Sequence, residues 1–376
     1  MTPGAAPRPR AGATAGACRV SVVIKALNEE AHIAAAIESA LAAVDEAGGG
    51  EVVLADSCSS DRTVEIASAY PVRIVQLAQA RERCCGAGPQ LGFQHARGEF
   101  VYLMDGDMKL LPGFLPRALN FLAQHPEVAG VGGRVVELNL DNLEYRERTL
   151  RMEAEPHRQP GPVDRLDGGG LYRRLAIDEV GYLSDRNLHS YEEFDLAVRL
   201  RARRWKLWRV GIDAVSHRGH ETPPYRLLLR RWRSGYAAGS GELLRAALGR
   251  PWLRLVLRGQ RELRLYLAVV LGWGLMLSLP WWPLPVAARA GVLAVLLLGP
   301  LLLMALRKRS LGRALYSLTS WWVNAAGLLR GLLRPRRPPA EPIASRVLRE
   351  PAPLPGEPGP ASRPSARPAP PSAHRS

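Results

Sequence analysis

Two long apolar segments in the last third of the chain limit most strongly how it can fold. Residues 265–288 carry no charged side chain, and after Arg289 a second apolar run extends over residues 290–306. A helix needs about 20 apolar residues to cross a bilayer core, so the first run is long enough and the second is marginal. Because such runs are rare in soluble cores, we predict a hairpin of two transmembrane helices over residues 265–306.

The charges around this hairpin indicate its orientation. Residues 258–264 contain three arginines and residues 307–309 are all basic, whereas the connecting segment has only Arg289. Since Arg-rich segments stay on the cytoplasmic side, both ends of the hairpin should face the cytoplasm. Residues 1–18 lack the apolar core of a secretory signal. The expected location is therefore the inner cell membrane, as a multi-pass protein whose first domain is cytoplasmic.

The overall charge points to a polyanionic partner. The 376 residues carry a net charge of +16 and give a pI near 10.4, which fits nucleic acid, an anionic membrane or a phosphorylated substrate. The positive charge is concentrated after about residue 199, and residues 227–264 interleave arginines with Leu, Trp and Tyr. This pattern is typical of helices on a membrane surface. It predicts membrane lipids as partners and no nucleic acid.

The first half of the chain alternates short β-rich runs with helical segments. We predict strands over residues 20–24, 51–54, 72–75 and 100–104, and helices over residues 29–46 and 61–70 among others. This alternation is typical of an α/β domain with a largely parallel sheet and helices on both faces. Ligands bind such sheets beyond the carboxyl ends of the strands, where the polar residues of this sequence stand.

Asp105 and Asp107 directly follow the fourth predicted strand. Residues two apart in extended backbone point to one side, and Gly106 between them allows the backbone to bend. Two close carboxylates repel each other unless a cation joins them. Mg²⁺ or Mn²⁺, completed by substrate phosphates and water, satisfies this arrangement. Short acidic triplets also occur in surface turns, so the motif alone is weak.

Three other polar groups each allow two interpretations. Asp56 opens residues 56–63, which can form a helix-starting turn or present a carboxylate to a nucleotide base. Glu192, Glu193 and Asp195 begin a predicted helix, where the helix dipole stabilises their carboxylates, or one of them supplies a general base. His217 and His220 are metal ligands or surface histidines.

Taken in order, these motifs resemble the family 2 glycosyltransferases of the GT-A fold, in their membrane-anchored bacterial form. The resemblance runs from Arg19 to His220. It is carried by residues 20–24 with Asn28, Glu29 and Glu30; residues 56–63; residues 96–107; residues 172–174 with 181–185; and residues 192–196 with Arg199, Leu200 and Trp205. Five motifs in one order are far more specific than any one of them.

The resemblance implies a nucleotide-sugar donor, with a preference for UDP, and a role for each site residue. The implied nucleotide-sugar contacts are Asn28, Glu29, Asp56 and Asp105; the metal ligands Asp107, Asp105 and His217; the acceptor contacts Gly169, Gly170 and Tyr172; and the general base Glu193, or its neighbour Glu192. The implied metal is Mg²⁺ or Mn²⁺. Lys25 departs from the family, which has a small or apolar residue there, and its ammonium either touches phosphate or faces solvent.

The implied reaction is an inverting transfer of one sugar. The Gln-x-x-Arg-Trp motif of processive synthases is incomplete, because Leu228 stands in the Gln position before Arg231 and Trp232. The expected acceptor is lipid-linked or a glycan near the membrane, in envelope or exopolysaccharide synthesis. A polyprenyl-phosphate sugar synthase and a non-catalytic, membrane-tethered sugar-nucleotide-binding scaffold remain the alternatives.

The sequence thus predicts six regions. They are a disordered leader (1–18), a GT-A domain (19–221), basic interfacial helices (222–264), two transmembrane helices (265–306), an amphipathic juxtamembrane helix (307–334) and a disordered Pro-rich tail (335–376).

Overall fold

A computed structural model describes residues 18–138, 155–218 and 223–351. The strands are β1 (Val20–Ala26), β2 (Glu51–Asp56), β3 (Arg73–Leu77), β4 (Phe100–Asp105), β5 (Met108–Leu110), β6 (Val128–Glu137), β7 (Gly161–Val163), β8 (Gly170–Arg173), β9 (Lys206–His217) and β10 (Ser345–Arg349). The helices are α1 (Ile33–Glu46), α2 (Thr63–Ala67), α3 (Ala87–His95), α4 (Phe114–Gln124), α5 (Arg174–Val180), α6 (Glu192–Ala202), α7 (Pro224–Arg233), α8 (Gly239–Ala247), α9 (Leu253–Gly259), α10 (Glu262–Ser278), α11 (Val286–Lys308) and α12 (Leu311–Leu333).

The ten strands form one mixed sheet in the order β10-β3-β2-β1-β4-β8-β6-β9-β5, with β7 paired to β9. Its centre is parallel, because β1 pairs in parallel with β2 and β4, and β2 with β3. Val22, Val23 and Ile24 of β1 are fully buried, as expected of a strand covered by helices on both faces. The predicted α/β fold with a mainly parallel sheet is confirmed.

Strand register brings the polar residues of distant segments together. Lys25 is opposite Asp105 across β1 and β4, and Ala26 is opposite Asp56 across β1 and β2. On the other side of the sheet, β9 places His217 opposite Met108 of β5 and Glu137 of β6. The strand ends therefore define one place where a site can form.

Two predicted helices begin later than the sequence indicates. α1 starts at Ile33 rather than at residue 29, and α2 covers only Thr63–Ala67. The residues before each helix form loops that bond to each other: the Asn28 amide N–H donates to Ser59 Oγ at 2.9 Å, and Ser60 N–H donates to Asn28 Oδ1 at 2.8 Å. These contacts fix the turns beside the strand ends.

Two helices after the α/β domain are long and apolar enough to cross a membrane. The candidate spans are Glu262–Trp281, with mean hydropathy 1.6, and Val286–Lys308, with mean hydropathy 2.2. Only 11% of the most apolar part of the first and 0% of that of the second is buried inside the protein. A core helix of a soluble protein would be covered, so this exposure favours a membrane environment.

The basic region before these spans is not a set of surface helices throughout. α8 is largely buried, and α12 returns from the hairpin to cover it. Gly327 and Gly331 of α12 lie directly against the carbonyls of Ala237 and Ala238, where a Cβ atom would clash. α12 also begins after a break at Arg309, so residues 307–334 are not one helix. Close backbone packing thus joins the apolar hairpin to the rest of the protein.

The chain after α12 folds back across the α/β domain. In these residues, 335–351, which we call the C-terminal strap, β10 pairs antiparallel with edge strand β3. Arg336 contacts Asp185 at 2.6 Å, and the Ile343 backbone exchanges hydrogen bonds of 2.8 and 3.1 Å with the Gln94 amide. This corrects the predicted disorder of residue 335 onward. The Pro-rich composition gave no sign of this short strand, which pairs with an exposed sheet edge. The rest of the predicted tail, residues 352–376, lies outside the described residues.

We expect the substitution Ile343→Asp to release the strap. Ile343 is 2% exposed, and an unpaired carboxylate in its place costs about 2 kcal/mol or more. The thermal unfolding midpoint in detergent should fall by several degrees. Val347→Asp is the matched control, because Val347 is 47% exposed on the same strap. Equal midpoints for the two variants would show that the strap is not docked.

Candidate active site

A cavity of about 620 Å³ lies beyond the carboxyl ends of β1, β2 and β4. Its floor includes Lys25, Ser57 and residues 105–107, and α7 covers it from the opposite side with Arg230 and Arg231. This is the position at which parallel α/β sheets bind ligands. One wall is therefore acidic and the other basic.

The acidic wall holds three carboxylates close together. Glu29, Asp105 and Asp107 all line the cavity. Burial, together with the charges of Asp107 and Asp105, raises the pKa of Glu29 to about 7. Burial also raises the pKa of Asp105. Such an arrangement favours a bound cation, because each carboxylate makes ionisation of the next less favourable.

Lys25 supplies one cation. Its Nζ lies 3.0 Å from Asp105 Oδ1 and 3.3 Å from Glu192 Oε1. Burial disfavours the charge of Lys25, but Asp105, Glu192 and Glu193 outweigh burial and hold the pKa of the ammonium well above its usual value. Lys25 thus neither faces solvent nor stands alone, since it links the floor of the cavity to the start of α6.

His217 supplies the second cation. Its Nε2 lies 3.4 Å from Asp107 Oδ2, and its Nδ1 lies 2.8 Å from Glu137 Oε2. Hydrogen bonds with Asp107 and Glu137 raise the pKa of His217 to about 10. The sequence did not indicate Glu137, whose position depends on the pairing of β6 with β9. His220, the other candidate, lies outside the described residues.

These residues fit a divalent metal only in part. Asp107 and His217 face each other, and a carboxylate behind a histidine is the usual outer-shell arrangement of a metal site. The described residues contain no group of three His, Cys, Asp or Glu side chains that would hold an ion by themselves, and Asp105 is bonded to Lys25. A metal held here would need phosphate and water ligands, as Mg²⁺ and Mn²⁺ commonly do.

The predicted base-binding residues lie beside the cavity. Asp56 is fully buried and accepts hydrogen bonds from Ser59 N–H at 3.0 Å and Gln76 Nε2 at 2.8 Å. Asp61, rather than Asp56, bonds the start of α2, because its Oδ1 accepts from Thr63 N–H at 3.0 Å. Asn28 uses its side-chain oxygen to hold Ser60. Their predicted contacts with a nucleotide stay predictions.

Glu192 and Glu193 occupy the first turn of α6 without lining the cavity. Burial raises the pKa of Glu193 to about 8, and the Lys25 charge opposes this rise. Lys25 lies against Glu192 directly, whereas Glu193 has no hydrogen bond or ion pair within the described part of the chain. The two neighbours therefore differ: the Glu192 carboxylate is paired with Lys25, whereas the half-buried Glu193 carboxylate has no such partner among the described residues.

Of the predicted acceptor residues, Gly170 and Tyr172 lie on β8, next to β4, and Gly169 directly precedes it. Gly169 has a φ of +97°, and a Cβ there would lie 2.8 Å from the Leu103 carbonyl oxygen, so glycine is required. The Tyr172 side chain is 2% exposed and packs over Gly130. Gly169, Gly170 and Tyr172 do not line the cavity. Arg230, Arg231 and Tyr236, which the site prediction omitted, do line it.

Comparison with known proteins agrees with this geometry. Residues 21–181 match the family model described as glycosyl transferase family 2. Over 144 residues the chain is 35% identical to the succinoglycan biosynthesis protein ExoO of Rhizobium meliloti (strain 1021), covering 38% of this chain and 39% of that protein. Over 116 residues it is 35% identical to an undecaprenyl-phosphate 4-deoxy-4-formamido-L-arabinose transferase of Pectobacterium carotovorum, covering 30% of this chain and 36% of that protein. The matches thus span well under half of these relatives.

The fold is similar to that of the mannosyltransferase PcManGT from Pyrobaculum calidifontis, solved in complex with GDP-Man and Mn²⁺. The TM-score is 0.54 at 18% identity, over 84% of this chain and 88% of that one. The sheet therefore has the architecture of the GT-A fold. The match to glycosyl transferase family 2 covers less than half of the chain, and it agrees with the resemblance carried by the motifs.

The substitution Lys25→Met should destabilise the protein in a pH-dependent way. Without the ammonium, the folded-state pKa values of Asp105 and Glu193 rise further above their unfolded values, so the folded variant binds more protons. Its stability then increases as pH falls. We expect a loss of about 1–3 kcal/mol at pH 8 that shrinks by pH 5.

Thermal unfolding midpoints at the two pH values measure this loss. Lys109→Met is the control, because Lys109 is exposed on β5. If the difference in unfolding midpoint between Lys25→Met and the unsubstituted protein is the same at both pH values, the role given to Lys25 is wrong.

Proposed function

We propose that the protein transfers one sugar, with inversion, from a nucleotide-sugar donor to a lipid-linked acceptor at the membrane. The observation that carries the proposal is the cavity with Asp105 and Asp107 on one side and the arginines of α7 on the other. A nucleotide diphosphate needs a cationic environment, and a divalent ion beside carboxylates supplies one. The relative from Pectobacterium carotovorum, named for an undecaprenyl-phosphate substrate, supports a lipid acceptor.

The donor would lie along the strand ends. Asp56 lies at the end of β2, where a carboxylate oxygen can accept from a base N–H such as that of uracil. Asp107 would hold Mg²⁺ or Mn²⁺ with Asp105 beside it, and His217 would join as a ligand after its imidazolium releases a proton. Such an ion, when bound, offsets the charge on the departing diphosphate. Arg230 and Arg231 lie across the cavity and would contribute further positive charge.

Glu193 would be the general base. It removes the proton from an acceptor hydroxyl, whose oxygen bonds to the anomeric carbon as the bond to the diphosphate oxygen breaks. The nucleoside diphosphate leaves, and the proton stays on Glu193 until it passes to water. A pKa of about 8 suits a base near neutral pH. Glu192, already held by Lys25, is the weaker candidate.

We include the orientation of the protein in the membrane in this proposal. α10 and α11 would span the inner membrane, and their basic flanks would keep the catalytic domain in the cytoplasm. There the domain would meet nucleotide sugars, and it would meet lipid carriers at the cytoplasmic face of the membrane.

One feature, the arginines at the cavity, favours the alternative in which the acceptor is a phosphate, as in a polyprenyl-phosphate sugar synthase. A phosphate acceptor requires no strong base.

The first test is a panel of nucleotide sugars with Mg²⁺ or Mn²⁺, following nucleoside diphosphate release. We expect release with at least one donor, its loss in EDTA, and a fall of about 100-fold or more in Asp107→Asn. Asp45→Asn, at an exposed position on α1, should retain full activity. Binding of donors without any turnover over the whole panel would favour a non-catalytic scaffold.

The second test separates the two glutamates and the two acceptor classes. A base works only when deprotonated, so the transfer rate should rise with pH up to about 8 and then level off. Glu193→Gln should lose about 10²- to 10⁴-fold with a hydroxyl acceptor and also lose this pH dependence. Glu192→Gln should keep both. Unchanged turnover of Glu193→Gln on a phosphate acceptor would instead identify a polyprenyl-phosphate sugar synthase.

A further inference from the structure

An apolar groove of about 470 Å³ lies between α7, α10 and α12. Its walls include Tyr225, Leu228 and Trp232 of α7, Trp273 of α10, and Trp322 and Ala326 of α12. The Trp273 and Trp322 rings meet edge to face with centroids 5.8 Å apart, and Trp322 is 45% exposed. Because α10 is a candidate membrane span, the groove is accessible from the lipid side.

The opposite face of α7 is strongly basic. Arg226, Arg230, Arg231 and Arg233 follow one another along ten residues. No carboxylate of the described chain lies within ion-pair distance of any of the four; Arg231 instead lies over the Tyr236 ring at 5.1 Å. Four arginines without acidic partners make this a site for an anionic group.

The groove and the catalytic cavity are neighbours along α7, with a basic recess between them. Leu229 borders both the apolar groove and this recess, which includes Arg226, Arg230 and Arg233. Arg230 and Ser234 border both the recess and the catalytic cavity. An anionic head group at the recess would therefore lie next to the catalytic cavity.

We propose that the apolar groove binds the isoprenoid chain of a phosphate- or diphosphate-linked acceptor, and that Arg226 and Arg233 bind its phosphate. This inference rests on the proposed function, since it identifies the acceptor of that reaction. The ligand must combine a long apolar chain with an anionic head group that reaches the cavity. The apolar groove of about 470 Å³ suits one chain, whereas a bilayer phospholipid carries two, so the groove and the neighbouring arginines together favour a single-chain lipid phosphate.

The binding test uses the full-length protein in detergent with geranylgeranyl phosphate as the probe, detected by quenching of tryptophan fluorescence. We expect saturable binding that weakens about tenfold or more in Ala326→Trp, which fills the groove, and in the double variant Arg226→Glu, Arg233→Glu, which repels the phosphate. Leu302→Trp on exposed α11 and Arg254→Glu on exposed α9 are the matched controls and should bind normally.

Competitors distinguish the sources of the ligand. Geranylgeranyl phosphate should resist displacement by phosphatidylglycerol and by inorganic diphosphate at equal concentration. Equal affinity for phosphatidylglycerol, or unweakened binding in both test variants, overturns the proposal. If Ala326→Trp does not fold, the double variant Arg226→Glu, Arg233→Glu tests the proposal alone. Both positions are exposed, so this variant should fold.

Failure of this inference can be told apart from failure of the proposed function. Nucleotide binding is followed separately, as the thermal shift produced by nucleoside diphosphate with Mn²⁺. The test variants should lose lipid-phosphate binding but retain the nucleotide shift. Absence of the nucleotide shift in the unsubstituted protein would contradict the proposed function, whereas retained nucleotide binding with unselective lipid binding would contradict the groove alone.

Discussion

Repulsion between carboxylates at the ends of β1 and β4 is the constraint on which the rest of the site depends. Parallel pairing brings the ends of β1 and β4 together, and Glu29, Asp105 and Asp107 line one cavity there. Lys25 and His217 offset the repulsion from below, at 3.0 and 3.4 Å, and the arginines of α7 do so from above. The site is therefore stable without ligand yet remains suited to a ligand with its own negative charge, which the arginines attract.

The parallel strands and the polar residues at their ends could be predicted from the sequence, because both are marked by local patterns. Apolar runs mark β1, β2 and β4, and polar residues at their ends, such as Asp56 and Asp105, necessarily share one edge of the sheet. Glu137 could not be found in the same way. It meets His217 through the pairing of β6 with β9, a contact between residues 80 positions apart, and no local pattern specifies that register.

Outside the catalytic domain, too, the sequence predicted some features and not others. Length and hydropathy predicted α10 and α11, since crossing a bilayer requires little more than an apolar helix. The return of α12 onto α8 depends on two glycines, Gly327 and Gly331, that permit backbone contact, and composition alone made this region look like surface helices. The C-terminal strap was concealed for a related reason, because edge pairing uses backbone groups that every sequence possesses.

These contacts hold the active site in a defined position relative to the apolar helices. α12 packs against both α8 and α10, while the strap binds β3 on the far edge of the sheet. Motion of the catalytic domain away from the hairpin would have to break both attachments together. α7 lines both the cavity and the apolar groove. Because one helix lines both spaces, a shift of α7 at the groove would also move Arg230 and Arg231 relative to the carboxylates of the cavity.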